Sequence, residues 1–193
     1  MPKIAAPTLI AHRELRRQQL MGAALELAMA EGASAITVAA VAAKAGLARS
    51  SVYEYFESSA DLVADLVLEE LDYYTDRLAT AIKDVTDPFD QIAAWIEEGL
   101  RYVADGRHML VKSLNTIDAP DYRKEEIAVG HRKMLAPLRK ALIETGVPDP
   151  MAAAAFLQSV TDAASVRIDA GNEAELEIQS ATKFALAGLR ALD

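Results

Sequence analysis

The sequence predicts an all-α protein of about nine helices, a small N-terminal three-helix unit leading into a larger helical bundle. Three observations carry this. Apolar residues recur at steps of three and four along most of the 193 residues, and no stretch alternates β-branched with polar residues as a strand would. Gly and Pro beside polar residues punctuate the chain at helix-length intervals. Apolar residues make up 52% of the chain, enough for a core, yet no apolar run reaches the ~18 residues of a membrane span.

The first helix is expected from about residue 10 to Glu31. Met21, Ala24, Leu25, Ala28 and Met29 form its buried stripe, and Gly32 ends it. Arg13, Arg16 and Arg17 crowd its first turns, where positive charge opposes the helix dipole. Such a cluster is either a solvated basic turn or a set of cations presented to phosphate.

Residues 37–56, TVAAVAAKAGLARSSVYEYF, read as two short helices around one glycine. Thr37 suits the N-cap, its side chain accepting from a free backbone N–H. Val38, Val41, Ala42 and Ala45 make one apolar face, and Gly46 adopts positive φ at no steric cost. Val52, Tyr53 and Phe56 fall on the inner side of the second helix, leaving Arg49, Ser50, Ser51 and Tyr55 outside. This is the helix-turn-helix pattern, whose second helix lies in a major groove. An ordinary helical hairpin with a solvated face satisfies the same spacing.

The fourth helix opens at Ser58-Ser59-Ala60-Asp61, a start resembling a capping box. Leu62, Val63, Leu66 and Val67 complete the small core, and the stripe continues through Leu71, Tyr74, Leu78 and Ile82 without a break. The domain division expected is therefore 10–58, with 59–70 completing its core, and 71–193. Further punctuation at Asp87-Pro88, Asp105-Gly106, Ala119-Pro120, Gly146-Val147-Pro148 and Gly171-Asn172 gives helices near 88–104, 107–117, 121–145, 149–170 and 174–192. Pro137 should kink the third of these. The last two carry stripes suited to helix packing: Ala152, Phe156, Ser159, Ala163 and Val166, then Ile178, Ala181, Ala185, Gly188 and Leu192. Packing within the chain and packing against a second copy produce the same stripes.

Residues 37–62 resemble the N-terminal domain of the TetR family of bacterial transcriptional regulators. Thr37, Val38, Val41, Ala42, Ala45, Gly46, Leu47, Ser51, Val52, Tyr53, Tyr55, Phe56, Ser58 and Leu62 stand in register with the family pattern. The resemblance covers about the first third of the chain. Ala48 replaces the usual Ser, removing a side-chain cap, and Ser59 replaces the usual Lys, removing one expected phosphate contact. The resemblance implies a ligand-responsive regulator, a repressor, that binds a palindromic double-stranded DNA operator as a homodimer and is released by a small effector. It implies DNA contacts from Thr37, Tyr53 and Tyr55. It also places the homodimer on the last two helices, at Ala152, Phe156, Ser159, Ala163, Ile178, Ala181, Ala185, Gly188 and Leu192. Alternatives are a helical dimeric adaptor or a small-molecule-binding protein that has lost specific DNA binding.

Charge divides in a way that suits two modules. The chain carries −9 in total, but residues 1–58 hold six Lys/Arg against five Glu, while 59–193 hold 14 against 24 Asp/Glu. Arg49 is the candidate for base reading, because a guanidinium bonds both acceptors on a guanine edge, and Ser50 and Ser51 reach bases or phosphates. Candidate effector-lining residues are Trp95, Tyr102, Met109, Asn115 and Phe156, with plain core as the competing reading. With no strong anion clamp in that domain, the effector expected is apolar, neutral or cationic.

An enzyme is not expected. His12, His108 and His131 are scattered, and there is no Gly-rich phosphate loop and no Gly-x-Ser-x-Gly. With no cysteine, thiolate zinc sites are excluded, and no cofactor or metal is expected. The N-terminal segment does not read as a signal peptide, so a cytoplasmic location is expected.

Overall fold

The computed structural model describes residues 9–192, with side chains from Ala11; residues 1–8, on which part of the signal-peptide reading rests, lie outside the described residues. Among the described residues the regular structure is helical: α1 (Leu9–Glu31), a short 3-10 turn (Ala33–Ala35), α2 (Val38–Ala45), α3 (Arg49–Val52), α4 (Ser59–Ile82), α5 (Pro88–Ala104), α6 (Arg107–Leu114), α7 (Asp121–Glu144), α8 (Pro150–Asp169) and α9 (Ala174–Arg190). Pro137 sits inside α7 without ending it. None of these helices is long and apolar enough to cross a membrane. The chain forms two compact units.

The first unit comprises 1–69 and 110–127. Its core is built on Leu20, Val41, Val52, Phe56 and Leu62, all essentially inaccessible to water. Burying each such side chain contributes about 1.5–3 kcal/mol. The α1 stripe is Leu20, Met21, Ala24, Leu27 and Ala28, and Met29, expected in it, is 74% exposed. The apolar residues of α1 surround much of the helix, so spacing alone admitted two phases. Asp61 and Ser58 start α4 as a reciprocal box: Ser58 Oγ accepts from the Asp61 N–H at 3.1 Å, and Asp61 Oδ2 accepts from the Glu57 N–H at 3.1 Å.

The second domain does not take all of 71–193. Leu110–Ile127 belongs to the first unit, because Leu114 is fully buried in its core and Ser113 Oγ accepts from the Ala33 N–H at 3.0 Å. Arg123 binds it further, forming ion pairs with Asp65 and, at 3.4 Å, with Asp61. Asp65 also accepts from Arg17 Nη2 at 2.6 Å.

The second unit comprises 70–109 and 128–193. Leu78, Ile92, Ile96, Leu100, Leu142 and Leu157 centre its core, and α9 packs against both α5 and α8. Asp87 caps α5 and Asp149 caps α8, each accepting two backbone N–H groups, with Pro in the first helical position after it.

Candidate functional site

The helix-turn-helix is fixed by local chemistry. Thr37 is extended (φ −115°, ψ 152°) and its Oγ1 accepts from the Ala40 N–H at 3.1 Å, capping α2. At the other end Gly46 is left-handed (φ 67°, ψ 31°), with Leu47 N–H donating to Ala42 O and Gly46 N–H to Ala43 O. That double closure is a Schellman stop, which aims the chain into α3. Gln19 Nε2 donates to Ala45 O at 2.8 Å and pins the end of α2 to α1. No local pattern in the sequence foretells this contact.

Thr37, Arg49, Ser50 and Tyr53 are exposed, while Ser51 and Tyr55 are half-buried. Arg49 has no ion-pair partner among the described residues, so its guanidinium is available to a ligand. Two expectations are corrected here. The Tyr53 ring, placed on the inner side of α3, is 52% exposed. Tyr55, placed outside, packs on the first core with the Arg13 guanidinium 5.9 Å from its ring centre. The regular helix stops at Val52 and residues 53–55 form turns, so helical spacing did not carry those side chains to the sides expected. Ala48 supplies no side-chain cap to α3, as its methyl requires. Of the basic cluster on α1, Arg17 is engaged by Asp65, whereas Arg13 and Arg16 remain beside neutral groups, Tyr55 and Gln19. Lys44 pairs with Glu26 at 2.9 Å.

A cavity of about 300 Å³ lies within the second unit. Of the candidate effector-lining residues, Trp95 and Tyr102 lie in its wall, together with Tyr74, Leu100, Met134 and His108. The other candidates lie elsewhere. Met109 is 51% exposed, Asn115 is exposed in the first unit, and Phe156 faces a different groove. Their apolar or amide character said nothing of which side of each helix they occupy. Gln158, Thr161, Asp162 and Ser165, the polar side of α8, complete the wall.

Around this cavity the polar groups are unevenly paired. Tyr102 donates its hydroxyl to Glu70 Oε1 at 2.9 Å, and Arg107 meets both Glu70 oxygens at 2.8 and 2.6 Å. Burial, then that bond, raise the Tyr102 hydroxyl well above its ordinary value. Tyr74 stacks on Tyr102 at 4.3 Å; burial and the Glu98 charge push its hydroxyl up to about 12. That hydroxyl lies 2.9 Å from where a Cβ on Gly99 would stand, so only glycine fits there without displacing it. Trp95 Nε1 and both His108 ring nitrogens, by contrast, are buried without a hydrogen bond. His108 Nε2 lies 2.8 Å from Asp169 Oδ1, off the ring N–H axis. A buried donor left unpaired costs about 1–3 kcal/mol. His108, isolated in the sequence, joins the wall only through the fold.

The helix stripes divide likewise. Ile178 and Ala181 are buried in the core of the second unit and do not face a second copy as expected, while Ala185, also buried, lies in the wall of an apolar groove. The small side chains of Ala181 and Ala185 let α9 approach its own neighbours α5 and α8. Ala152 is half-buried; Phe156, Ser159, Ala163, Gly188 and Leu192 are exposed. Phe184 at 70% and Val166 at 68% exposure extend that apolar surface, and a groove of about 380 Å³ runs between Phe156, Phe184, Gly188 and Leu192.

Residues 20–66 match the family model described as bacterial regulatory proteins, tetR family. No curated protein is similar to the chain. Among solved structures, the fatty acid degradation regulator FadR of Bacillus halodurans is similar at 19% identity and TM-score 0.71, over 91% of this chain and 96% of that one. FadR of Bacillus subtilis in complex with stearoyl-CoA matches at 20% identity and TM-score 0.71, over 89% and 98%. The regulator PfmR of Thermus thermophilus matches at 19% identity and TM-score 0.68, over 87% and 97%. At these identities the likeness concerns the fold.

Proposed function

We propose that the chain, a TetR family regulator by the match of its N-terminal residues 20–66, is a homodimeric repressor that binds a palindromic operator and is released by a compact, mostly apolar effector. The family is one of DNA-binding regulators, not of enzymes. The observation that carries the proposal is the capped α2, the left-handed Gly46 and the exposed Arg49, without an ion-pair partner among the described residues, within the matched segment. Arg49 reads a base, Ser50 and Ser51 assist, and Thr37, Tyr53 and Tyr55 hold the backbone. Work on operator DNA calls for a cytoplasmic location.

The exposed apolar surface of α8 and α9 supports the homodimer. An operator of two inverted half-sites requires one α3 segment from each copy, their centres ~34–36 Å apart. The cavity beside Trp95 supports an effector. Its 300 Å³ is at the small end of ligand pockets, ~300–1,000 Å³, and no Lys or Arg lines it. A compact uncharged compound therefore suits it better than a long acyl-CoA of the kind bound in the Bacillus subtilis structure. Release requires that the effector prefer the DNA-free arrangement, since equal affinity for both shifts nothing.

Selection of bound duplexes from a random library with the full chain tests the proposal. The expected product is an enriched motif of two inverted half-sites about one helical turn apart. Recovery of no motif would point to the adaptor reading.

A further inference from the structure

We infer that the effector taken by the second unit is an uncharged molecule bearing a hydrogen-bond-accepting oxygen, a carbonyl above all, recognised by Trp95 and His108. This rests on the effector-binding reading above and narrows it to a chemical class.

Trp95 is 6% exposed, and its Nε1 has no partner; an indole N–H only donates. His108 adds a half-buried ring whose Nε2 lies 2.8 Å from Asp169 Oδ1 and whose Nδ1 is buried with no hydrogen bond. Tyr102 donates to Glu70, Thr161 and Ser165 donate to carbonyls of their own helix, and Asp162 accepts from Gln158. These oxygens keep free lone pairs, but none of them is a partner of the Trp95 N–H. What that N–H lacks is an acceptor within reach, and a ligand oxygen supplies one.

Charge then narrows the class. Among the described residues the only carboxylate lining the cavity is Asp162, and no Lys or Arg lines it. The cations that act on Tyr74 and Tyr102, Arg77 and Arg107, are held by Glu98, Asp105 and Glu70, so an anion here meets Asp162 with no uncommitted cation beside it. A cation could face Asp162 but would leave the Trp95 N–H unanswered. An uncharged acceptor meets the N–H without either cost.

Three probes of nearly equal shape separate these terms: 2-acetylnaphthalene, 2-isopropenylnaphthalene, in which a methylene replaces the carbonyl oxygen, and 2-naphthoate. Trp95 is the only tryptophan of the chain, so a ¹H–¹⁵N spectrum of the full protein shows its indole N–H without ambiguity. We expect the ketone to move that signal downfield and to bind about two- to tenfold tighter than the hydrocarbon, the worth of one net hydrogen bond. Trp95→Phe should abolish that ratio, and the wild-type indole signal decides the matter even where this variant folds poorly. Equal affinities with an unmoved indole signal, while the Met134 methyl shifts, would overturn the acceptor inference and leave the effector-binding reading standing. Tightest binding by 2-naphthoate would overturn the assignment to uncharged ligands. No shift at Met134 or Leu100 with any probe would overturn both readings.

Discussion

Arg49 and Arg17 show how little a residue's type says until its partner is known. Both are arginines of the first unit, yet Arg17 is held 2.6 Å from Asp65 while Arg49 faces solvent with no acidic partner among the described residues. Only the second is free to meet a base edge. Replacing Arg49 with Ala should relax preference at one base pair per half-site by about 1–3 kcal/mol. A uniform loss of affinity with the preferred motif intact would make Arg49 a phosphate contact. Tyr74 offers a prediction of another kind. Its hydroxyl is raised from 10 to about 12 by burial and by Glu98, so the folded protein holds the proton more tightly than the unfolded chain does. The stability this contributes is complete below pH 10 and is lost as pH rises from 10 through 12. Urea unfolding at about pH 9 and about pH 11 should therefore show the wild type losing about 1 kcal/mol more than Tyr74→Phe. Equal losses would mean that Tyr74 titrates as it does in the unfolded chain.

At the scale of elements, legibility followed the range of the interactions. The cap at Thr37, the stop at Gly46 and the box at Ser58 were readable because each is settled within a helical turn or so. The phase of a helix was not readable where apolar residues surround it. In α1 the stripe turned toward Leu20 and Leu27 and away from Met29; in α9 it put Ile178, Ala181 and Ala185 inward. Tyr53 and Tyr55 changed sides because α3 ends at Val52. Helix α9 can also be tested. A Cβ at Gly188 meets nothing within 4 Å, so Gly188→Glu should leave each protomer folded. It should still shift sedimentation toward monomer, because it charges the apolar groove beside Phe184 and Leu192. Ala185→Glu, by contrast, buries a charge in the core and should unfold the second unit. A fully dimeric Gly188→Glu would put the interface elsewhere.

For the molecule as a whole, the sequence indicated an acidic majority and a near-neutral first module, but not how the chain is shared between the two units. Leu114 and Arg123 lie far along the chain from the helices they join, and no local signal marks them. The cavity was half legible for the same reason. Trp95 and Tyr102 were found by their aromatic type, whereas His108, Met134 and the polar side of α8 reach it only through packing. Neither point alters the central claim, which is that the N-terminal unit reads DNA sequence and does not merely adhere to the polyanion.

Nonspecific attraction to phosphate is weak for a chain of net charge −9, and it falls steeply with salt. Base reading survives at salt concentrations that remove it. The direct measurement is the ratio of dissociation constants for the selected duplex and for a scrambled duplex of the same composition, taken at ~0.15 M ionic strength. The expected ratio is about 10³ or more in favour of the selected duplex. Equal affinity for the two would contradict it.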